Sequence, residues 1–142
     1  MRLVLDTNVV ASAFLWGGVP RLLLQAAREK RVELFTSTPL LAELTDILGR
    51  RKFEKKISAS ASSIDQLVDR YAVLAALVRP MPIPRSAPDP DDDVVIGTAL
   101  AARADLIVSG DKPMLGLGET HQGIRIVTPA EAVQLIAASG QG

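Results

Sequence analysis

Acidic residues stand at the ends of apolar segments throughout this 142-residue chain. Asp6 closes Arg2-Leu3-Val4-Leu5, the cluster Asp89 to Asp93 opens the segment Val94 to Ala102, and Asp111 ends Leu106-Ile107-Val108-Ser109-Gly110. Glu43 lies in a helical stretch, Pro39 to Gly49. With one histidine and no cysteine, the donors on offer are oxygens, which suit hard cations such as Mg²⁺ or Mn²⁺. Carboxylates gathered within roughly 4 Å repel by a few kcal/mol per pair at an effective dielectric near 20. Their convergence therefore requires a counter-charge. A divalent ion in such a setting serves phosphoryl chemistry, activating water and stabilising the leaving oxygen.

The elements that must position these groups alternate between strand and helix. Arg2 to Asp6 reads as a short buried strand, because consecutive apolar residues mark a parallel sheet covered on both faces. Pro20 suits the first turn of a helix running to about Lys30, followed by a strand from Val32 to Ser37. Pro39 opens the next helix, with Leu40, Leu44, Ile47 and Leu48 on one stripe. Glu43 falls about 40° from Ile47 around that wheel, at the border of the stripe. Ser58 to Ser63 reads as a small-residue hinge before a long amphipathic helix from about Ser63 to Val78, with Leu74 and Leu77 on its apolar face. Arg79 to Pro90 carries five prolines and is expected to be extended or looped, with room for one short strand. A helix over Asp91 to Ala104, strands at Leu106 to Ser109 and Ile124 to Val127, and a helix from Pro129 to Ala138 complete the pattern. The expectation is an α/β sandwich around a mainly parallel sheet of four or five strands, in a single domain over residues 1–138 with a fraying tail at 139–142. Ligands of open parallel sheets bind beyond the carboxyl ends of the strands, where Asp6 and Asp111 lie.

Each piece also has an ordinary reading. Asp6-Thr7-Asn8 can cap a helix beginning near Val9, the cluster Asp89 to Asp93 can be a solvated helix start, Ser109-Gly110-Asp111 a tight turn, and Glu43 an exposed helical residue. The joint pattern is harder to account for in those ways.

Val4-Leu5-Asp6-Thr7-Asn8-Val9, Leu41-Ala42-Glu43-Leu44, Asp92 ahead of Thr98-Ala99-Leu100, and Ile107-Val108-Ser109-Gly110-Asp111 resemble, in order and interval, the four acidic motifs of the PIN-domain ribonucleases. The resemblance covers Met1 to about Ala138. Phe14-Leu15-Trp16-Gly17-Gly18 and Arg51-Lys52-Phe53 resemble the branch described as toxins of toxin–antitoxin pairs, of the VapC type. The resemblance implies about five parallel strands flanked by helices, an acidic groove holding Mg²⁺ or Mn²⁺, and cleavage of single-stranded RNA. It implies metal-binding roles for Asp6, Asp92 and Asp111, with Glu43 a further catalytic carboxylate. Thr7, Asn8 and Ser109 match motif neighbours that hold the carboxylates in place. Asp89 and Asp93 lie beside Asp92 as supporting acids, and Pro113 stands where the family often has a polar residue. An antitoxin protein is the implied partner.

Composition sets the remaining limits. Sixteen basic residues balance sixteen acidic ones, so any nucleic-acid contact must come from a local patch. Mean hydropathy is +0.24, yet no apolar run approaches the roughly 18 residues of a membrane span, and the first segment reads as a strand rather than a leader. The absence of cysteine fits the cytoplasm. Trp16 is expected in the core or at the contact of a homodimer, His121 in a solvent-exposed polar loop, and the basic run Arg50-Arg51-Lys52, Lys55 and Lys56 at a solvated helix end. Two other readings remain: a non-catalytic acidic groove that receives a basic partner segment, and a PIN-type nuclease of RNA processing rather than a toxin. An aspartate-nucleophile phosphatase fits less well, since Asn8 stands where a second aspartate would be wanted.

Overall fold

The computed structural model describes residues 1–84, 89–120 and 122–140. Five strands form one sheet in which every pairing is parallel: β1 (Arg2–Leu5), β2 (Glu33–Thr36), β3 (Ala76–Leu77), β4 (Leu106–Val108) and β5 (Arg125–Val127), in the order β3-β2-β1-β4-β5. Successive side chains of a strand point to opposite faces, and both faces here are covered. Leu3, Leu5, Leu34, Leu106 and Val108 join one core, with residues of α1 (Thr7–Leu15), α2 (Gly18–Arg28), α3 (Thr38–Leu48), α5 (Ile64–Leu74) and α8 (Pro129–Ser139). Val4, Phe35, Ile107 and Ile126 join the other, under α6 (Pro90–Ala102) and α7 (Lys112–Leu117). This is the expected α/β sandwich, and double burial explains why the strands read as unbroken apolar runs.

Helix starts follow local chemistry. α5 and α8 open with capping boxes, Ser63 with Gln66 and Thr128 with Glu131, which satisfy otherwise orphaned N–H groups. α1 and α2 meet at 99°, across Gly17 and Gly18 at φ 78° and 63°, values that a residue with a Cβ adopts reluctantly. That turn lets α2 begin at Gly18, before the expected Pro20. No single helix among the described residues is long and apolar enough to cross a membrane.

Three expectations need correction. The helix from Ser63 ends at Leu74 instead of Val78, because Ala75 turns extended and Ala76 and Leu77 pair with Phe35 and Thr36 as the fifth strand. Leu77 is thereby exposed rather than part of the apolar stripe. Ser58 and Ala59 are not hinge residues but close α4 (Glu54–Ala59), which follows a 3-10 turn at Arg51–Phe53. A short helix, α7, lies between β4 and β5, where the sequence pattern had placed none, with Pro113 in its first turn. The described part of the proline segment, residues 79–84, contains no strand. The expectations for residues 85–88, for His121 and for the last two residues of the tail fall outside the described residues.

The chain beyond β3 crosses α6 at close range. The Met81 N–H donates to the Gly97 carbonyl at 2.9 Å, and a Cβ on Gly97 would run into the Met81 backbone carbonyl. Helix propensity alone favours Gly97→Ala by about 1 kcal/mol, whereas overpacking of this kind costs about 1–3 kcal/mol. The Gly97→Ala protein is therefore expected to melt at a lower temperature than the parent in a calorimetric scan. A raised melting temperature would show that the crossing segment yields to the methyl group.

Candidate active site

The sheet order places β1 in the middle, with the chain progressing toward β3 on one side and toward β5 on the other. The crevice at such a switch point, beyond the carboxyl ends of the strands, is the natural ligand site of an open parallel sheet. Leu5 of β1 stands opposite Val108 of β4, so the residues that follow, Asp6 and Ser109, emerge side by side. The Asp6 N–H donates to the Val108 carbonyl at 2.8 Å, continuing the ladder by one rung.

Asp6 is 3% exposed and Ser109 is fully buried. The Ser109 hydroxyl donates to Asp6 Oδ2 at 2.7 Å, while its Oγ accepts the Asp111 N–H at 3.0 Å. One hydroxyl thus fixes a carboxylate and the backbone of the next acidic motif together. Asp6 holds the N-cap position of α1, where the Thr7 and Asn8 N–H groups favour its charge although neither meets its carboxylate in cap hydrogen-bond geometry, so capping describes only part of its role. Asp111 does cap, accepting the Met114 N–H at 3.2 Å at the head of α7. The Thr7 hydroxyl, buried in the first turn of α1, donates to Glu43 Oε2 at 3.3 Å and ties α3 to the end of β1.

On the opposite rim, Asp89 caps α6 by accepting the Asp91 N–H at 2.9 Å. α6 is anchored one turn further in. Thr98 donates to the Val94 carbonyl at 2.8 Å, and the buried Ser37 hydroxyl lies 2.9 Å from Thr98 Oγ1. With the Thr98 proton already committed, Ser37 is the donor of that second bond.

These elements meet around a cavity of about 500 Å³ lined by Asp6, Asn8, Glu43, Arg50, Asp89, Asp91, Asp92 and Asp111, together with Pro90 and Pro113. All four carboxylates singled out in the sequence line it, as do Asn8 and Asp89. Thr7 and Ser109 act from behind as donors, and Asp93 does not line the cavity. Asp91 and Arg50 were missed as lining residues. Asp91 sat in a cluster whose helical register was open, and Arg50 was grouped with the solvated basic run.

The electrostatics record the crowding. Burial raises Asp6 above the usual carboxylate range, with Asp111 adding to the push, while the Ser109 hydroxyl and the Thr7 and Asn8 N–H groups oppose it. Burial lifts Glu43 to about 7, reinforced by Asp6, Asp91 and Asp92. Burial likewise lifts Asp92 to about 6, with repulsion from Asp6, Asp111, Asp89 and Asp91. Arg50 is the one cation among the lining residues. No three carboxylates among the described residues are spaced as a finished ion cage. Mg²⁺ needs only one or two carboxylates and completes its octahedron with water and substrate oxygens, and this donor set, all hard oxygen with a surplus of negative charge, fits it.

A raised folded-state pKa means that the native chain holds these protons more tightly than the unfolded chain. Stability from them is complete below about pH 4 and is lost as pH rises through about 6 and 7, the values for Asp92 and Glu43. In EDTA the melting temperature should therefore fall between pH 5 and pH 8. Mg²⁺ should raise it more at pH 8 than at pH 5. Asp6→Asn combined with Asp111→Asn should flatten the pH slope and remove most of the Mg²⁺ gain, and an undiminished gain in that double variant would place the ion elsewhere.

Residues 2–113 match the family model of the PIN domain, a span that includes all four carboxylates and β1 to β4. One chain of the crystal structure of VapBC2 from Rickettsia felis, bound to a DNA fragment from their promoter, aligns with a TM-score of 0.53 at 17% identity, covering 78% of this chain and 89% of that one. Identity this low speaks to the fold alone. Comparison with curated protein sequences gave no match. On the family match, the five-stranded parallel sheet and the acidic crevice at its switch point, the chain belongs to the PIN-domain family.

Proposed function

We propose that this protein is a Mg²⁺- or Mn²⁺-dependent endoribonuclease that hydrolyses phosphodiester bonds of single-stranded RNA in the cytoplasm, as the toxin of a toxin–antitoxin pair. The observation that carries the reading is the convergence of Asp6, Glu43, Asp92 and Asp111, from four separate elements, on one cavity. The likeness to a chain of VapBC2 supports the toxin assignment and with it an antitoxin partner; the homodimer is part of the same proposal.

Asp6, Asp92 and Asp111 would hold the cation, which supplies charge neutralisation and Lewis-acid polarisation at the phosphate when bound. Asp6 is the most rigid of the three, fixed by the strand ladder and the Ser109 hydroxyl. Asp92 approaches from the first turn of α6, which Asp89 caps. Glu43 titrates at about 7 in the free protein, close to the working pH, and is the group best matched to taking a proton from the attacking water. Thr7 orients it by hydrogen bond. Water adds its oxygen to phosphorus, the bond from phosphorus to the leaving oxygen breaks, and that oxygen takes up a proton. Arg50 on the rim offers a contact for a flanking phosphate.

Purified protein free of any partner should cleave single-stranded RNA only with Mg²⁺ or Mn²⁺, and EDTA should stop it. Asp6→Asn keeps the size and hydrogen-bonding capacity of the side chain, so the fold should survive while turnover drops by orders of magnitude, chiefly in kcat. Induced in cells, the parent should arrest growth and the Asp6→Asn chain should not. Cleavage that persists in EDTA, or an Asp6→Asn protein as fast as the parent, would leave the cavity as a docking site for a basic partner segment instead.

Neighbouring acids on α6 offer a finer check. Successive helical residues diverge by about 100°, and Asp92 lines the cavity whereas Asp93 does not. Asp92→Asn should abolish cleavage and Asp93→Asn should retain much of it, compared as kcat/KM on one oligonucleotide. Equal losses would mean that both acids share the site.

A further inference from the structure

Trp16 is not a core residue: at the end of α1 it is 58% exposed. It is nonetheless built into an arrangement. Its ring meets Phe53 edge-to-face, with centroids 5.3 Å apart. The Lys56 ammonium lies 5.2 Å from the Trp16 ring centroid and donates to the Leu15 carbonyl at 3.3 Å, while the Lys52 ammonium lies 5.0 Å from the Phe53 centroid. Residues 50–56 hold five cations against one carboxylate, Glu54, in a chain whose net charge is zero. None of the five forms an ion pair among the described residues. Each ring thus has an ammonium group over one face, and the exposed remainder of Trp16 offers a nucleotide strand an aromatic surface with positive charge for its phosphates close by.

The position of this cluster links it to the acidic cavity by two routes. Arg50 lines the cavity and runs directly into the turn at Arg51–Phe53. α1 begins at Thr7, behind the cavity, and ends beside Trp16, and its nine residues span about 14 Å at 1.5 Å per residue. Taking the roughly 3.4 Å rise per residue of a stacked duplex strand as the shortest spacing, that distance is at most about four nucleotides. Basic charge thus leads from the cavity rim to an exposed aromatic surface a few nucleotides away.

We propose that Trp16, braced edge-on by Phe53 and flanked by Lys52 and Lys56, forms a stacking platform for a base of single-stranded RNA lying a few nucleotides from the scissile phosphate. The proposal rests on the nuclease reading for the direction of the strand, but binding at the platform does not depend on cleavage. Bases stack on aromatic faces with little regard to sequence, so the platform serves grip and reach rather than base identity.

Trp16 is the only tryptophan, so its emission reports on the platform alone. A ten-nucleotide single-stranded RNA added to the full chain in EDTA should quench that emission. Trp16→Ala should weaken binding about tenfold by anisotropy of the labelled RNA, within the range for losing one stacked base, and Trp16→Phe should restore most of it. Lys52→Ala and Lys56→Ala should each lower the slope of log Kd against log salt by roughly 0.7. With metal supplied, Trp16→Ala should raise KM for the ten-nucleotide RNA at unchanged kcat and leave cleavage of a trinucleotide unaltered. Absence of quenching, or RNA binding unchanged in Trp16→Ala, would overturn the platform even if cleavage is intact. Emission that shifts with protein concentration before RNA is added would overturn it too, by assigning the surface to a second copy of the chain. Quenching without metal-dependent cleavage would support the platform and sink the nuclease reading instead.

Discussion

Everything at the acidic cavity depends on the parallel pairing of β1 with β4. With Leu5 set opposite Val108, the next residue on each strand is a carboxylate, Asp6, and a hydroxyl, Ser109, at hydrogen-bonding range. A slip of one residue would turn every side chain of the strand to the other face. It would carry Leu3 and Leu5 out of one core and Val4 out of the other. The two buried cores therefore enforce the register, and the register sets the geometry of the acids. Packing far from the cavity determines which oxygen meets which proton inside it.

That arrangement works against the stability of the free chain. Asp6 is buried with a hydroxyl donor and, among the described residues, no ion-pair partner, and Glu43 and Asp92 are raised by burial and by their acidic neighbours. A carboxylate used only for structure is commonly paired with a base or left in water. Here the opposing forces are small and local: Ser109 on Asp6, Thr7 on Glu43, Asp111 on the head of α7, Asp89 on that of α6. Each holds an acid in position without cancelling its charge, so the negative potential remains directed into the cavity. Charge so confined is characteristic of functional sites.

The sequence was most legible where two constraints agreed. The apolar runs of β1, β2, β4 and β5 had both length and flanking signals, and the carboxylates beyond β1 and β4 could be placed by the rule for open parallel sheets. The stripe on α3 placed Glu43 at the edge of the buried face, where the structure has it. Legibility failed where tertiary contact outranked local preference. Ala76 and Leu77 continue a helical stripe by periodicity, yet the unpaired edge of β2 draws them into the sheet. The family resemblance singled out Asp92, but that Asp91 shares the cavity while Asp93 does not follows only from the helix register that Asp89 and Pro90 establish. Of the two places expected for Trp16, the core and a dimer contact, the structure excludes the core: the chain turns at Gly17 and Gly18 and leaves the ring outside.

The acids of the cavity lie far apart in sequence, with Asp6 and Asp111 near opposite ends of the chain, and this has a consequence for synthesis. A nascent chain carrying only the segments through α3 has Asp6 and Glu43 but neither β4 nor Ser109, so Asp6 remains hydrated and unaligned. Pairings this remote in sequence form late, after the entropy of closing a long loop has been overcome. The cavity is therefore complete only once β4 has paired with β1. A fragment cut between α3 and α6 keeps Asp6, Glu43 and Arg50 but lacks Asp92, Asp111 and the Ser109 hydroxyl that aligns Asp6.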